Sequence, residues 1–203
     1  VPWDDDSNHF INFGAPEFGK PPFTALPREQ GAAIEKFGAQ TLNRLGTLPW
    51  REEQMAGSLR RAFEGMGRKS GYGPTDVVLF SALASHYLQD STQPFHGAIN
   101  YDGQLTGNHG IHSRFESELL EKFGARLRLA PAAPTPITNA RDAAFDNAVA
   151  GYALVDQLLA ADRAALGTKD MYDDAYFEAF FTAVQPVLEQ QLNRAIEIGR
   201  AHV

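Results

Sequence analysis

The sequence predicts an all-α protein of one domain, and three observations lead to this prediction. A chain of 203 residues is long enough for one domain with a sizeable core. Apolar side chains recur every three or four residues over much of the chain, which is the period of an amphipathic helix. No segment shows the alternation of apolar and polar residues that is typical of a half-buried strand. We therefore expect a single helical domain over residues 1–203.

The first part of the chain predicts a packed loop followed by two helices. Residues up to about Pro27 are rich in proline, glycine and phenylalanine, so we expect an irregular loop that its phenylalanines hold to the body. The helical period begins at Arg28 and should end at Gly46. A second helix is expected to start at Leu48-Pro49-Trp50.

The third predicted helix, from about Asp76 to Gln89, is apolar on nearly every side, which indicates a buried position. Pro94 prevents its continuation, and residues 97–110 form a long glycine-rich loop, a feature that often carries function. The remaining predicted elements are a fourth helix from near Ile111, a linker at Pro131–Pro136, and two long helices at about Thr138–Leu166 and Met171–Arg200.

The composition limits the possible functions. The chain has no cysteine, so any metal must be held by histidine, aspartate and glutamate. A net charge of −7 argues against a general polyanion-binding surface, although bound metal ions would add positive charge that this count omits. No apolar run approaches the roughly 20 residues needed to cross a bilayer. No signal peptide is recognisable after Val1, so either the protein is not exported or the sequence lacks its beginning.

Four of the six histidines lie in the central part of the chain, at metal-ligand spacing. His86 and Asp90 are four residues apart, and so are His112 and Glu116, which places each pair on one face of a helix. One such pair alone is more often a buried histidine bonded to a carboxylate. Two pairs, with His96 between them, predict a multinuclear metal site. Zinc is the expected ion, with manganese, iron and nickel as alternatives.

Three of the six histidines, one of them in this central part, are weaker candidates. His9 lies in a loop beside Asp4-Asp5-Asp6, where a surface histidine is the ordinary interpretation. His109 either faces away from the site or hydrogen-bonds to the metal ligands without binding the metal itself. His202 in the tail is expected to be exposed.

At these residues the chain resembles the superfamily of zinc-dependent phospholipase C and the single-strand-specific nucleases of the S-one/P-one type. His9-Phe10-Ile11 is similar to the family's His-aromatic-aliphatic motif, and Leu48-Pro49-Trp50-Arg51 is similar to the helix start of bacterial members. The resemblance covers most of residues 8–123. The central motif reads His86-x-x-x-Asp90, then Gln93-Pro94-x-His96, then the glycine-rich loop, then His112-x-x-x-Glu116.

The resemblance implies two to three zinc ions in a cleft of a helical domain. Asp90 would bridge the first ion to a third one. The implied ligands are His9, His86 and Asp90 for one zinc, and His96, His112 and Glu116 for a second.

The start of the chain departs from the family pattern. Members of the family begin with a tryptophan whose amine and carbonyl bind the third zinc, and an aspartate precedes the position of His9. Here Val1 comes first, Trp3 is internal, and Asp4-Asp5-Asp6 lies closer to His9 than the family's aspartate does. We expect either that an N-terminal segment is missing from this sequence or that this branch has lost the third zinc.

The resemblance further implies a hydrolase that cleaves phosphodiester bonds with a metal-activated water and without a covalent nucleophile. A phospholipase C-like activity is favoured. Glu116 as the last ligand, the short spacing from His96 to His112 and the lack of cysteine are all unlike the pattern of the fungal and plant nucleases. The expected substrate is a phospholipid or, alternatively, single-stranded nucleic acid. Asp102 and Glu118 are candidates for orienting the imidazoles.

Two alternatives stay open. One is a single-strand nuclease or 3′-nucleotidase, which would stack bases on aromatic side chains near the metals. The other is a non-catalytic helical binding protein stabilised by metal. The aromatic candidates for stacking bases in the nuclease alternative are Tyr101, Phe95, Phe10 and Phe13.

The resemblance also implies a secreted or periplasmic location.

Overall fold

The helices of the computed structural model follow the apolar periodicity of the sequence. The structure describes residues 6–66, 68 and 71–200, apart from the side chain of Arg200. These residues form a single all-helical domain without β-strands. Its seven longer helices are α1 (Gln30–Phe37), α2 (Ala39–Leu45), α3 (Leu48–Gly65), α4 (Pro74–Asp90), α5 (Ala140–Tyr152), α6 (Val155–Leu166) and α7 (Asp174–Arg200).

A shorter helical stretch between α4 and α5 contains a π turn. Ile111–Ser113 and Leu119–Phe123 are α-helical, and the π-helical residues Arg114–Glu118 join them. We call residues 111–123 the π segment. A helix near Ile111 is therefore confirmed, but its hydrogen-bond ladder changes between the two candidate ligands that it carries. Such π turns are frequent at functional sites.

Two predicted helices are each divided in the structure. The run from Arg28 to Leu45 is broken at Gly38, whose φ of +80° ends α1. Both halves contribute to one apolar cluster, so the periodicity continues across the break. The predicted helix from Thr138 to Leu166 is broken before Val155, because α5 and α6 pack into different clusters.

The prediction that the third helix is buried is wrong. Only its C-terminal half contributes buried residues to α4, namely Ala84, Tyr87 and Leu88. Val78 and Leu79 are 70% and 51% exposed. One side of α4 packs on α3, and the described residues leave the opposite side of its first turns uncovered. The C-terminal half of α4, which carries His86 and Asp90, is nevertheless well anchored.

Most of the buried apolar side chains belong to two large clusters. The loop before α1 packs through its phenylalanines as predicted, and Phe13 and Phe23 stack with their ring centres 4.3 Å apart. The largest cluster joins the π segment to α6 and α7. Within the described residues, none of the helices has the length and apolar character of a membrane-spanning segment.

A side-chain cap fixes the start of α5. The Oδ1 atom of Asn139 accepts a hydrogen bond from the amide of Asp142 at 3.0 Å. The substitution Asn139→Ala should lower the free energy of unfolding by about 1 kcal/mol, because this amide loses its partner. Urea denaturation measures the change. Asn139→Ser retains an acceptor and should lose only a few tenths of that amount; equal losses in both variants would contradict the capping role.

Candidate metal centre

His9 is the one candidate ligand that comes from outside the central segment, and backbone hydrogen bonds place it. The amide of Ile11 donates to the carbonyl of His96 at 2.8 Å, and the amide of Leu48 donates to the carbonyl of Phe10 at 3.2 Å. The loop that carries His9 is thereby tied both to the segment after α4 and to the start of α3. The closeness of His9 to the central ligands follows from these contacts.

Three potential ligands meet at the C-terminal end of α4, and we call them the first triad: His9, His86 and Asp90. The Nδ1 atom of His9 lies 2.9 Å from Oδ2 of Asp90 and 3.1 Å from Nε2 of His86. The same Oδ2 lies 3.4 Å from Nε2 of His86. Two imidazole nitrogens and a carboxylate oxygen thus face one point, which is the arrangement that a divalent cation needs.

The second triad consists of His96, His112 and Glu116. The Oε2 atom of Glu116 lies 2.8 Å from Nε2 of His112 and 3.6 Å from Nε2 of His96. Gln93 donates a hydrogen bond to the same oxygen at 2.7 Å. The spacing of four between His112 and Glu116 therefore brings them together as predicted, across the π turn.

The two triads adjoin at Asp90 and His96. The Nδ1 atom of His96 lies 3.7 Å from Oδ1 of Asp90, and both side chains are about 15% exposed. This Nδ1 is buried and has no hydrogen-bond partner among the described residues. A buried polar nitrogen without a partner is costly, so its environment fits a site that is completed by a bound group. The donor set of imidazoles and carboxylates fits zinc.

The carboxylates change the protonation of the second triad. Burial alone would lower the pKa of His96, but the hydrogen bond to Glu116 and the charge of Asp90 outweigh it and raise this pKa. Hydrogen bonds from His112 and then His96 hold the pKa of Glu116 well below its usual range. Glu116 therefore stays anionic beside His96, whose imidazole binds a proton more readily than an ordinary one.

Zinc affinity should fall as the pH is lowered from about 8 to about 5.5, because protons and zinc compete for the same imidazole nitrogens. The pKa of His96 is raised, so its protonation begins at a higher pH than that of an ordinary imidazole. The loss should therefore grow steadily towards acid. Competition titrations with a chromophoric chelator at several pH values measure it. An affinity that is unchanged over this range would show that the imidazoles of the two triads do not hold the zinc.

A cavity of about 510 Å³ opens beside both triads. Tyr101 on its wall is 49% exposed, and Arg44 on α2 is held by an ion pair with Glu17 at 2.7 Å. Arg44 was not recognised from the sequence, because nothing in its local pattern links α2 to the ligands. The residues that line the cavity are Asp6, His9, Phe10, Asn12, Arg44, Phe95, His96, Tyr101 and His112.

Several secondary candidates have other roles. His109 is exposed, and the described contacts involve its backbone carbonyl, which accepts from Arg114. Asp102 accepts from the amides of Gly110 and His112 rather than from an imidazole, and Glu118 accepts from a serine hydroxyl. Neither carboxylate bonds to an imidazole in these contacts, which agrees with the alternative that each is an ordinary turn or surface residue. Trp3, Asp4, Asp5 and His202 lie outside the described residues.

Comparison with known proteins gives no match to this chain among protein-family models, curated proteins or solved structures. The geometry of the two triads and the motif in the sequence are therefore the features that indicate a function.

Proposed function

We propose that the protein is a zinc-dependent phosphodiester hydrolase of the phospholipase C and single-strand nuclease type that the sequence resembles. The observation that carries the proposal is the meeting of two three-ligand groups at Asp90 and His96. Structural zinc sites are usually closed by four protein ligands, whereas catalytic sites use three and keep a position open. Both triads supply three ligands, and members of both line one cavity. This arrangement favours a hydrolase over a metal-stabilised binding protein.

Each triad would hold one zinc ion through its three side chains. Bound zinc supplies Lewis acidity and lowers the pKa of a water molecule to about 7. Asp90 contacts imidazoles of both triads, so it is placed to be the ligand common to them. Gln93 fixes the orientation of the Glu116 carboxylate through its hydrogen bond. Arg44, which is paired with Glu17, lines the cavity wall and would donate hydrogen bonds to an anionic substrate there. We assign no covalent nucleophile.

A phospholipase C-like activity is our first candidate. This preference depends on Glu116 as the last ligand of the family motif, and Glu116 belongs to the second triad. A nuclease or 3′-nucleotidase is the second candidate, and one observation favours it. Phe10 and Tyr101 line the cavity and are accessible enough to stack on a base. Phe13 and Phe95 are wholly buried in the core, so the expectation that they stack on bases is wrong. We also propose a secreted or periplasmic location from the resemblance.

Zinc content and hydrolysis test the proposal together. We expect at least two zinc ions per chain, one for each triad. The zinc-loaded protein should hydrolyse a soluble chromogenic phosphodiester, and a chelator should abolish the activity until zinc is restored. Parallel assays on phosphatidylcholine vesicles and single-stranded DNA decide between the two candidates. Tight zinc binding without hydrolysis of any of the three substrates would support the binding protein instead.

A pair of histidine variants provides the matched control. His112→Ala removes a ligand of the second triad and should abolish hydrolysis of the chromogenic substrate. His109→Ala removes an exposed imidazole three residues earlier in the chain and should leave the rate unchanged. Equal rates in the two variants would contradict the assignment of the second triad.

A further inference from the structure

A buried arginine lies between the two ligands of the π segment. Arg114 is two residues after His112 and two before Glu116, and its side chain is 4% exposed. The guanidinium carbon lies 3.9 Å from the ring centre of Tyr172. A charged side chain at this depth is tolerated only when its donors are satisfied. The partners of Arg114 therefore identify what it holds in place.

The guanidinium joins the glycine-rich loop to α6 and α7. Its Nη1 donates to the carbonyl of His109 at 2.7 Å, and its Nη2 donates to the carbonyl of Asn108 at 3.2 Å. Both Nη2 and Nε donate to Oδ1 of Asp162, at 2.9 and 3.2 Å. The hydroxyl of Tyr176 accepts from Nε at 2.9 Å and donates to Asp162.

Asn108 reaches the same carboxylate from the loop side. Its Nδ2 donates to Oδ2 of Asp162 at 2.6 Å and to the carbonyl of Leu159 at 3.1 Å. Its Oδ1 accepts from Arg163 at 3.0 Å. Asn108 and Asp162 are each 1% exposed. The last residues of the loop are thereby fixed to α6 by buried hydrogen bonds, which are stronger in such surroundings than in water.

The glycines of the loop raise the entropy cost of ordering its end, so contacts to the rest of the domain matter there. Gly103 and Gly110 have φ values of 71° and 81°, and glycine loses more conformational freedom on folding than any other residue. His112 follows Gly110 after one residue. Any displacement of the loop end would move the imidazole of His112 relative to Glu116.

We propose that Arg114, Asn108 and Asp162 form a positioning group that holds His112 in the geometry in which the second triad binds metal. The inference rests on the proposed metal site but not on hydrolysis. Groups that hydrogen-bond directly to metal ligands typically contribute about 10- to 100-fold to metal affinity. The positioning group acts on His112 through the backbone, so its loss should weaken one zinc by about 10-fold, the lower end of that range. The first triad is supplied by the N-terminal loop and α4, so its zinc should be retained.

Two variants remove the anchor from opposite sides. Arg114→Lys keeps a positive charge beside Asp162 but loses the planar fork that reaches the two loop carbonyls. Asn108→Ala keeps the ion pair and removes the side-chain hydrogen bonds of the loop. Arg141→Lys is the matched control, because Arg141 is another buried arginine, with ion pairs to Glu29 at 2.8 Å and Glu53 at 3.3 Å.

Zinc competition titrations of the three variants, with circular dichroism as a check of folding, test the inference. We expect Arg114→Lys and Asn108→Ala to bind one of two zinc ions about 10-fold or more weakly, and Arg141→Lys to bind both as the parent does. Cobalt spectra should change in the first two variants only. Parental affinity for both ions in folded Asn108→Ala overturns the inference, as does an equal loss in the Arg141 control. If Arg114→Lys fails to fold, Asn108→Ala decides. A parent protein that binds zinc but hydrolyses nothing contradicts the proposed function alone.

Discussion

Asp90→Asn should reduce hydrolysis of a soluble phosphodiester by at least about 100-fold. Loss of a group that only hydrogen-bonds to a metal ligand costs up to about 100-fold, and loss of a ligand should cost at least as much. Asp90 contacts three imidazoles: those of His9, His86 and His96. Asparagine has the same shape but carries no charge, so it binds a divalent cation much more weakly than a carboxylate does. We expect zinc content to fall in parallel with the rate.

The control for this variant is Glu118→Gln, which makes the same chemical change at a half-buried carboxylate outside both triads. It should keep the parental rate and the parental zinc content. Elemental analysis and initial rates, measured on the same preparations, provide the comparison. Full activity and full zinc content in Asp90→Asn would show that the two triads are not joined through this carboxylate.

Gly46→Ala should lower the free energy of unfolding by about 2 to 6 kcal/mol. Gly46 ends α2 with a φ of +95° and a ψ of 151°, a backbone conformation that almost only glycine adopts and that costs another residue about 1–3 kcal/mol. A Cβ atom there would lie 2.2 Å from the carbonyl oxygen of Phe10. Relief of that clash requires a backbone shift, and overpacking of this kind typically costs about 1–3 kcal/mol. Urea denaturation measures the sum.

Gly38→Ala separates the two contributions. Gly38 has a φ of +80°, but a Cβ atom there would meet nothing within 4 Å. This variant should lose only the conformational contribution of about 1–3 kcal/mol. Because Phe10 follows His9 directly, Gly46→Ala should also weaken zinc binding at the first triad, whereas Gly38→Ala should not. Equal losses of stability in the two variants would contradict the close approach of Gly46 to Phe10.

The candidate site was predictable from the sequence to the extent that it is local. His86 with Asp90, and His112 with Glu116, are one helical turn apart, and the structure brings each pair together. Helical spacing is a property of a few consecutive residues, so a single sequence reveals it. The identity of zinc, the hydrolysis and the relation to phospholipase C stay predictions.

Contacts between distant segments were not predictable from spacing alone. His9 is 77 residues before His86 in sequence, and only a motif from the resemblance linked the two. The ion pair of Arg114 with Asp162 spans 48 residues and has no local pattern at all. A buried arginine in a helix is indistinguishable from a surface arginine until the helices that cover it are in place.

The exposed side of α4 is another feature that the local sequence did not predict. Its apolar composition predicted burial, yet Val78 and Leu79 lie at the surface of the described residues. An apolar sequence indicates which side chains a helix can bury. The elements that pack against the helix decide which of them are buried.

The sequence by itself determined the helical class, the approximate helix positions and the two ligand pairs, because each depends on the 3.6-residue period of the helix. The tertiary structure alone decided where helices break, which face of α4 is covered, and that Asp90 meets His96 between the triads. The physical reason is that turn-by-turn periodicity is a local property, whereas the meeting of distant side chains depends on how the whole core packs.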